Sequence, residues 1–380
     1  MKNKILFNCT TNLLGGAVKN AALFIVSVQG NLDFNWCFAV SKPVYSLLLN
    51  YNVSLDNVIV FDESPSRNNF YRKKLINIAD DYSVDVIYTM AGPSYVNFKQ
   101  FHVMGISNPY ITHVDLQGLV IGKNIGEILK VIALTIYQSY YTLKANRWVF
   151  QTEESRKGFL FRFFKSRTNT IVIRNAIGND FIDYFASKVE NKIDVNNKVS
   201  ILCPAAPFMH KSLHLIPDIA YSLKQICDIE FCFILTIDQS NALWERIKQK
   251  SIDLSIEKCI TTIGSFSYKQ AVSLYANSDI VFVPSILETF SASYLEAFAS
   301  NNPLVVADKG FARDICGNAA VYVDPTNAVE SAKIFYNLFN SQNLQNQIVL
   351  EGKRILQLSE SQSSRSKKII NYLHSNLKYD

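Results

Sequence analysis

The sequence lacks the features that would place it in several large functional classes. No stretch reaches the ~18 uninterrupted apolar residues that a membrane-spanning helix needs. The opening MKNKILFNCT holds only a three-residue apolar run, which reads as a first strand and not as a signal peptide. The expected location is cytoplasmic, either free or peripheral at the inner membrane. Lys and Arg form no block suited to a nucleic-acid arm, and a net charge of +6 on 380 residues is a mild excess. Nucleic acid is therefore not an expected partner, whereas an anionic ligand or an anionic membrane surface suits this balance. The seven cysteines form no C-x-x-C pair and several lie in apolar runs, so they read as buried free thiols in a reducing compartment. The five histidines form no H-x-x-x-H pattern and there is no D-x-D, so neither a metal nor a cofactor is expected. G-x-G-x-x-G, a P-loop and G-x-S-x-G are also missing, which argues against a dinucleotide fingerprint, a P-loop nucleotidase and a serine hydrolase.

What is present is apolar and regularly arranged. Hydrophobic residues make up 48% of the chain and charged residues 18%, enough for two domains that each bury a core. Apolar runs at Lys4–Asn8, Trp36–Val40, Val58–Phe61, Val84–Thr89, Tyr110–His113, Trp148–Gln151 and Thr170–Ile173 alternate with helical patterns. A second series follows at Val199–Cys203, Glu230–Thr236, Cys259–Ile263, Ile280–Pro284, Leu304–Ala307 and Ala320–Val323. Many of these runs lack polar alternation, as expected where helices cover both faces of a parallel sheet. The predicted fold class is α/β, with two doubly wound, Rossmann-like domains. The predicted divisions are an N-terminal domain 1–186, a polar linker 187–198, a C-terminal domain 199–358 and a terminal helix 359–380. Ile121–Leu143 stands out as rich in Ile, Leu and Tyr with few charges. It reads either as a pair of buried or half-buried helices or as a membrane-interface or acceptor-lipid surface with Lys123 and Lys130 beside its aromatics.

The segment with most chemical content is VPSILETFSASYLEAFASNNPLVVADKG, residues 283–310. A strand ends at Pro284, a loop follows, and a helical pattern begins at about Ser291. Ligands of open α/β sheets bind at the carboxyl ends of strands, which puts Glu288 in a ligand-facing loop. Small Ser291 and Ala292 at the helix start allow backbone amides to approach an anion. Glu296 lies eight residues beyond Glu288, a spacing of roughly 12 Å if helical, suited to a sugar at one carboxylate and a ribose at the other. Taken alone, the pair reads equally well as two surface glutamates.

The surrounding residues resemble the retaining GT-B glycosyltransferases of family 4, whose signature is E-x7-E within P-S-x-x-E-x-F-G-x-x-x-x-E-A. Here the string is Pro284, Ser285, Glu288, Phe290, Ser291, Glu296, Ala297, with Ser291 in place of Gly. Gly264, Leu274, Tyr275 and Asp279 upstream, and Pro303, Gly317 and Asp324–Pro325 downstream, extend the likeness over about residues 199–330. The resemblance implies a GT-B fold, with two domains facing across a cleft and the last helix returning to the N-terminal domain. It implies that Glu288 contacts the donor sugar, that Glu296 binds the ribose, and that the amides of Phe290, Ser291 and Ala292 hold a donor phosphate. Gly264 falls in the stretch Ile263–Ser267 expected to meet the base.

Four further positions follow from their place after strands. Lys211, between the strand ending at Cys203 and the next helix, presents a cation to phosphate. The family has an Arg six residues earlier, where this chain has Ala205. Gly15 and Gly16 allow the backbone close to a ligand, with Asn20 four residues on. By resemblance that loop touches donor phosphate (Gly16) and acceptor (Gly15, Asn20). His113, read as a strand end in PYITHVD, is positioned to hydrogen-bond a donor or acceptor hydroxyl or to assist proton movement. Arg174–Ile177 resembles the family's turn before the linker.

The expected activity is retaining, metal-independent transfer of a sugar from a nucleotide-diphosphate sugar to an acceptor hydroxyl, in bacterial surface polysaccharide synthesis. Glu288, Lys211 and His113 are the expected catalytic residues. The expected partners are the nucleotide sugar, a carbohydrate or lipid-linked acceptor and, on the second reading of Ile121–Leu143, the inner membrane leaflet. The alternatives are a GT-B sugar-nucleotide epimerase, a non-catalytic nucleotide-sugar-binding protein and a structural membrane-surface protein.

Overall fold

The computed structural model describes residues 2–31, 33–187, 198–266 and 268–377. The chain divides into two compact units. The first comprises residues 1–114, 125–176 and 360–380, and the second comprises 115–124 and 177–359.

Seven parallel strands form the sheet of the first unit: β1 Lys4–Cys9, β2 Asn35–Ser41, β3 Val58–Phe61, β4 Val86–Thr89, β5 Phe101–Ile106, β6 Arg147–Phe150 and β7 Thr170–Val172. Their order is β3-β2-β1-β4-β5-β6-β7, so the direction of winding reverses between β1 and β4. All four residues of β4 are buried, as are five of the six in β1, because helices pack on both faces. One core gathers Phe7, Phe24, Trp36, Phe38 and Tyr88. The C-terminal helix Gln362–Leu377 joins it through Ile369 and Leu373, and Ser27 Oγ donates to Ser366 Oγ at 2.6 Å.

The second sheet is six-stranded and parallel: β8 Lys198–Cys203, β9 Glu230–Leu235, β10 Ile260–Thr262, β11 Ile280–Val283, β12 Leu304–Ala307 and β13 Val321–Val323. Its order β10-β9-β8-β11-β12-β13 places the reversal between β8 and β11. Phe233, Phe282 and Phe335 pack on one face, while Tyr275, Tyr294 and Phe298 pack on the other.

Four features differ from the sequence reading. Tyr110–His113 is not a strand but belongs to a short helix, Pro109–Thr112, capped by His113. The Asn108 side chain accepts from Tyr110 N, and Pro109 sets the first turn, which outweighs the β-propensity of Tyr, Ile and Thr. The strand at this place is β5, which had gone unread. The first unit's chain gives way to the second at Ala176, not at 186: Ile177 and Phe181 are buried in the second unit's core with Tyr275. The linker at 187–198 lies almost wholly outside the described residues. Finally, Ile121–Leu143 is not a pair of buried or half-buried helices but mainly one helix, partly half-buried and partly exposed. It holds one long helix, Ile125–Thr142, in which only Ser139 and Thr142 are buried. No helix among the described residues is long and apolar enough to cross a membrane.

Candidate functional site

In the second unit, the loops that leave β8 and β11 meet at the reversal of the sheet, where open α/β sheets bind ligands. After β8 the chain makes two tight turns before the helix Ile216–Lys224, and the first of these, Met209–Lys211, presents Lys211. After β11 the loop carries Glu288. Lys211 Nζ lies 2.8 Å from Glu288 Oε1, with side chains only 19% and 7% exposed. Ile286 N donates to His210 O at 3.0 Å and so ties the two loops together. Withdrawing two charges from water costs several kcal/mol per ion, which the attraction of a pair roughly offsets. The pair is thus a weak stabiliser of the fold, and its chemistry is the better reason for its presence at a ligand-binding edge.

The neighbours of the pair shape its field. His210 stacks on Phe208 with ring centroids 5.6 Å apart. Burial, aided by the charges of Lys211 and Lys123 and opposed by Glu288, holds its pKa down at about 4, so the ring is neutral near pH 7. The Tyr294 hydroxyl is fully buried without a hydrogen-bond partner among the described residues, and burial together with the Glu288 charge raises its pKa. Ser291 caps the helix Ala292–Ala299 with extended backbone, but its side chain makes no capping bond. The first-turn amides are therefore left to other acceptors, a favourable arrangement for an anion. Glu296, inside this helix, accepts a hydrogen bond from Tyr275 Oη at 2.7 Å. Gly264 follows β10, where Ser265 N donates to Asp238 Oδ1 at 3.1 Å. Ser267, the end of the stretch expected at the base, is outside the described residues. Ala205 is bound at both backbone groups by Thr236 Oγ1 and brings no charge.

Lys211, Glu288, Phe290, Ser291, Ala292, Glu296 and Gly264 thus all lie in the second unit, on or beside loops leaving neighbouring strands. The sequence reading did not single out Tyr275 as a positioning group, and His210 beside Lys211 brings no charge near pH 7 because its burial keeps the ring neutral. Among the described residues no cluster of three His, Cys, Asp or Glu side chains is arranged to hold a metal ion.

The remaining expected residues belong to the first unit. Gly15 and Gly16 begin the helix Gly15–Val28 after β1 and are exposed, with Asn20 half-buried further along. His113 follows β5 by way of the short helix. Its Nδ1 lies 2.7 Å from Thr112 Oγ1 and 3.4 Å from Ser155 Oγ. At this sheet's reversal, between β1 and β4, lies a cavity of about 300 Å³ lined by Thr11, Leu14, Ala91, Tyr95, Asn108 and Gln138, among others. Gln138 bridges it, accepting from Asn108 Nδ2 at 2.7 Å and donating to Tyr95 Oη at 2.9 Å. None of these lining residues had been singled out, because a neutral pocket assembled from three loops and two helices leaves no spaced motif.

Comparison with known proteins bears directly on the charged loops. Residues 210–355 match the family model for glycosyl transferases group 1. This part of the chain is a glycosyl transferases group 1 domain. A stretch of 124 residues is 26% identical to the O-antigen chain mannosyltransferase RfbU of Salmonella typhimurium. That match covers 33% of this chain and 34% of the relative, about a third of its length. Among solved structures, a glycosyltransferase from Rickettsia africae superposes with a TM-score of 0.75 at 17% identity, covering 100% of both chains. Anabaena Alr3699/HepE in complex with UDP and glucose gives a TM-score of 0.72 at 17% identity, covering 98% of this chain and 100% of that one. The fold of the whole chain is therefore the GT-B fold of the glycosyltransferases.

Proposed function

We propose that the protein is a retaining, metal-independent glycosyltransferase. It moves a sugar from a nucleotide-diphosphate sugar to an acceptor hydroxyl in the assembly of a bacterial surface polysaccharide such as an O-antigen, capsule or lipopolysaccharide. The observation that carries the proposal is the Lys211–Glu288 pair, largely buried at the reversal of the second sheet and inside the group 1 domain. The mannosyltransferase relative and the UDP- and glucose-bound neighbour support the choice of donor and product.

In this reading the diphosphate lies between Lys211 and the amides that open the helix Ala292–Ala299. Glu288 orients the sugar, and Glu296, braced by Tyr275, takes the ribose hydroxyls. The bond from the anomeric carbon to the β-phosphate oxygen breaks while the acceptor oxygen bonds to that carbon on the same face. The acceptor proton passes to the departing phosphate. Lys211 and the helix amides stabilise the charge that develops there. The neutral cavity of the first unit takes the acceptor, with His113, Gly15 and Asn20 nearby in sequence.

Peripheral contact with the inner leaflet, and hence a lipid-linked acceptor, is part of the proposal. Its support is the helix Ile125–Thr142, which exposes Ile125, Leu129, Leu134, Ile136 and Tyr140. Sedimentation with phosphatidylglycerol vesicles checks this part, and an Ile136→Glu protein that still sediments fully would remove it. The donor is identified by thermal shift with UDP-, GDP- and ADP-sugars. The expected result is one donor that stabilises the native protein and fails to stabilise Glu296→Ala. Proton NMR of the product, with a chelator present, tests the rest: an inverted anomer, or loss of turnover on chelation, overturns the mechanism.

A further inference from the structure

The net charge of the chain is concentrated in one place. Ser155–Ala176 holds six of the 38 Lys and Arg and none of the 32 Asp and Glu, so the remainder balances at 32 of each and the net +6 falls on this stretch. It begins within the helix Glu153–Phe163, which joins β6 to β7. The inner side of that helix is fixed by Phe159, fully buried, with its ring 5.2 Å from Trp148 and 5.1 Å from Phe150. Its outer side ends in Phe161 and Phe164, which are 83% and 92% exposed. Phe164 caps the helix at φ +50°, ψ +40°, the left-handed region where a Cβ is crowded and glycine is the usual occupant. A bulky residue that strains the cap and buries almost nothing does not serve the fold, so its reason lies outside the chain.

Charge decides the partner. Arg156 is paired with Glu153 and adds nothing net. Lys157, Arg162, Lys165 and Arg167 flank the two rings in sequence, and none of the four meets a carboxylate among the described residues. Arg162 donates to the carbonyls of Tyr110, Ile111 and Val114, and Lys165 Nζ lies 5.4 Å from the centre of the Trp148 ring. Lys157 and Arg167 are exposed. Bare aromatic rings set among cations suit a surface that is apolar within and anionic at its boundary.

The helix Ile125–Thr142 lies on the same face of the sheet. It falls between β5 and β6, and right-handed crossovers that advance in one direction put their helices on one side. Leu143, just beyond it, shares a core with Phe159 and Phe163. Near its end the exposed Tyr140 carries Lys144 Nζ 4.6 Å above its ring, a second pairing of aromatic and cation.

We propose that the end of the helix Glu153–Phe163 is an anchor for an anionic lipid bilayer. Phe161 and Phe164 enter the boundary between headgroups and acyl chains, and the four flanking cations meet the lipid phosphates. The inference rests on the peripheral-membrane reading above and deepens it, adding a second contact and a lipid class.

The test is sedimentation of the full chain with vesicles of phosphatidylcholine alone and of phosphatidylcholine mixed with phosphatidylglycerol, at low and high salt. Native protein is expected to sediment with the mixed vesicles only, and less at high salt. Phe164→Gly is expected to weaken that binding about tenfold while its melting temperature stays level or rises, because glycine relieves the cap. A purely structural phenylalanine would move both readouts together. Lys157→Gln with Arg167→Gln is expected to cost roughly tenfold on the mixed vesicles. A folded protein carrying Phe161→Ser and Phe164→Ser that sediments as the native chain does overturns the anchor, since any binding then rests on charge alone. The Ile136→Glu test of the helix Ile125–Thr142 is untouched by that result. Equal sedimentation of native protein with both vesicles overturns the lipid class. Sedimentation with neither overturns the peripheral reading as well, while sugar transfer to a soluble acceptor would leave the glycosyltransferase reading in place.

Discussion

The two sheets reverse their winding in the same way, yet the two reversals are furnished differently. Between β8 and β11 stand a half-buried cation and a buried carboxylate 2.8 Å apart. Between β1 and β4 lies a neutral cavity in which Gln138 bridges Asn108 and Tyr95. The difference teaches that the fold supplies the place for a ligand and the side chains supply its class. A charged reversal suits a phosphorylated ligand whose charge grows as it departs, whereas a neutral one suits hydroxyls recognised by shape and dipoles.

The largest expected effect breaks the charged side of this comparison. Glu288→Gln should lower turnover by about a thousandfold, the scale of losing a group that acts on the reacting centre, with nucleoside diphosphate affinity changed little. Sugar transfer and nucleotide binding, measured on the same preparation, check both halves. Lys211→Ala should weaken diphosphate binding by roughly tenfold to a hundredfold and leave nucleoside binding unchanged. Equal losses for both ligands would mean that the residue acts on the fold. On the neutral side, Gln138→Leu cuts both bridging hydrogen bonds. It should raise the acceptor KM about tenfold with donor affinity intact, and a shift in donor affinity instead would erase the distinction between the two reversals.

Two smaller effects sharpen the comparison. Tyr275→Phe removes the hydroxyl that holds Glu296 and should raise the donor KM by about threefold to tenfold, since a hydrogen bond to a charged group contributes about 1 kcal/mol or more. The smallest concerns acid. His210 is held at about 4, whereas an unfolded histidine titrates near 6.5, so the unfolded chain takes up the proton first as pH falls. Its contribution to stability is complete above about pH 6.5 and is lost progressively toward pH 4. His102, buried and held at about 3, acts in the same direction. His210→Gln should therefore lose fewer degrees of melting temperature between pH 7 and pH 5 than the native chain does, as calorimetry at the two pH values would record.

Much of the fold was legible because a parallel sheet covered on both faces writes itself as unbroken apolar runs, as in Val86–Thr89 and Ile280–Val283, where every residue is buried. β5 escaped for the opposite reason. Its FHVMGI contains a histidine and a glycine, residues that weaken a strand pattern, and each is explained by its neighbours. His102 Nε2 lies 2.9 Å from Thr89 Oγ1, and a methyl group on Gly105 would fall 2.0 Å from the Met90 carbonyl oxygen. The helix Ile125–Thr142 left two readings open, half-buried helices or an interfacial surface, because apolar composition ordinarily signals burial and carries no information about which surfaces are covered.

The sequence by itself determined the alternation of strands and helices, apart from β5 and the short helix Pro109–Thr112, together with the two-unit plan and the local string from Pro284 to Ala297 that places Glu288 before a helix and Glu296 within it. These are properties of neighbouring residues, decided by hydrophobic periodicity and backbone preference. Only the tertiary structure decided that Lys211 closes on Glu288, that His210 is neutral, that Tyr275 braces Glu296, and that Asp115–Asn124 belongs to the second unit. Each depends on side chains brought together from distant parts of the chain and on the water excluded around them, and neither distance nor burial is written in the spacing of residues along a strand.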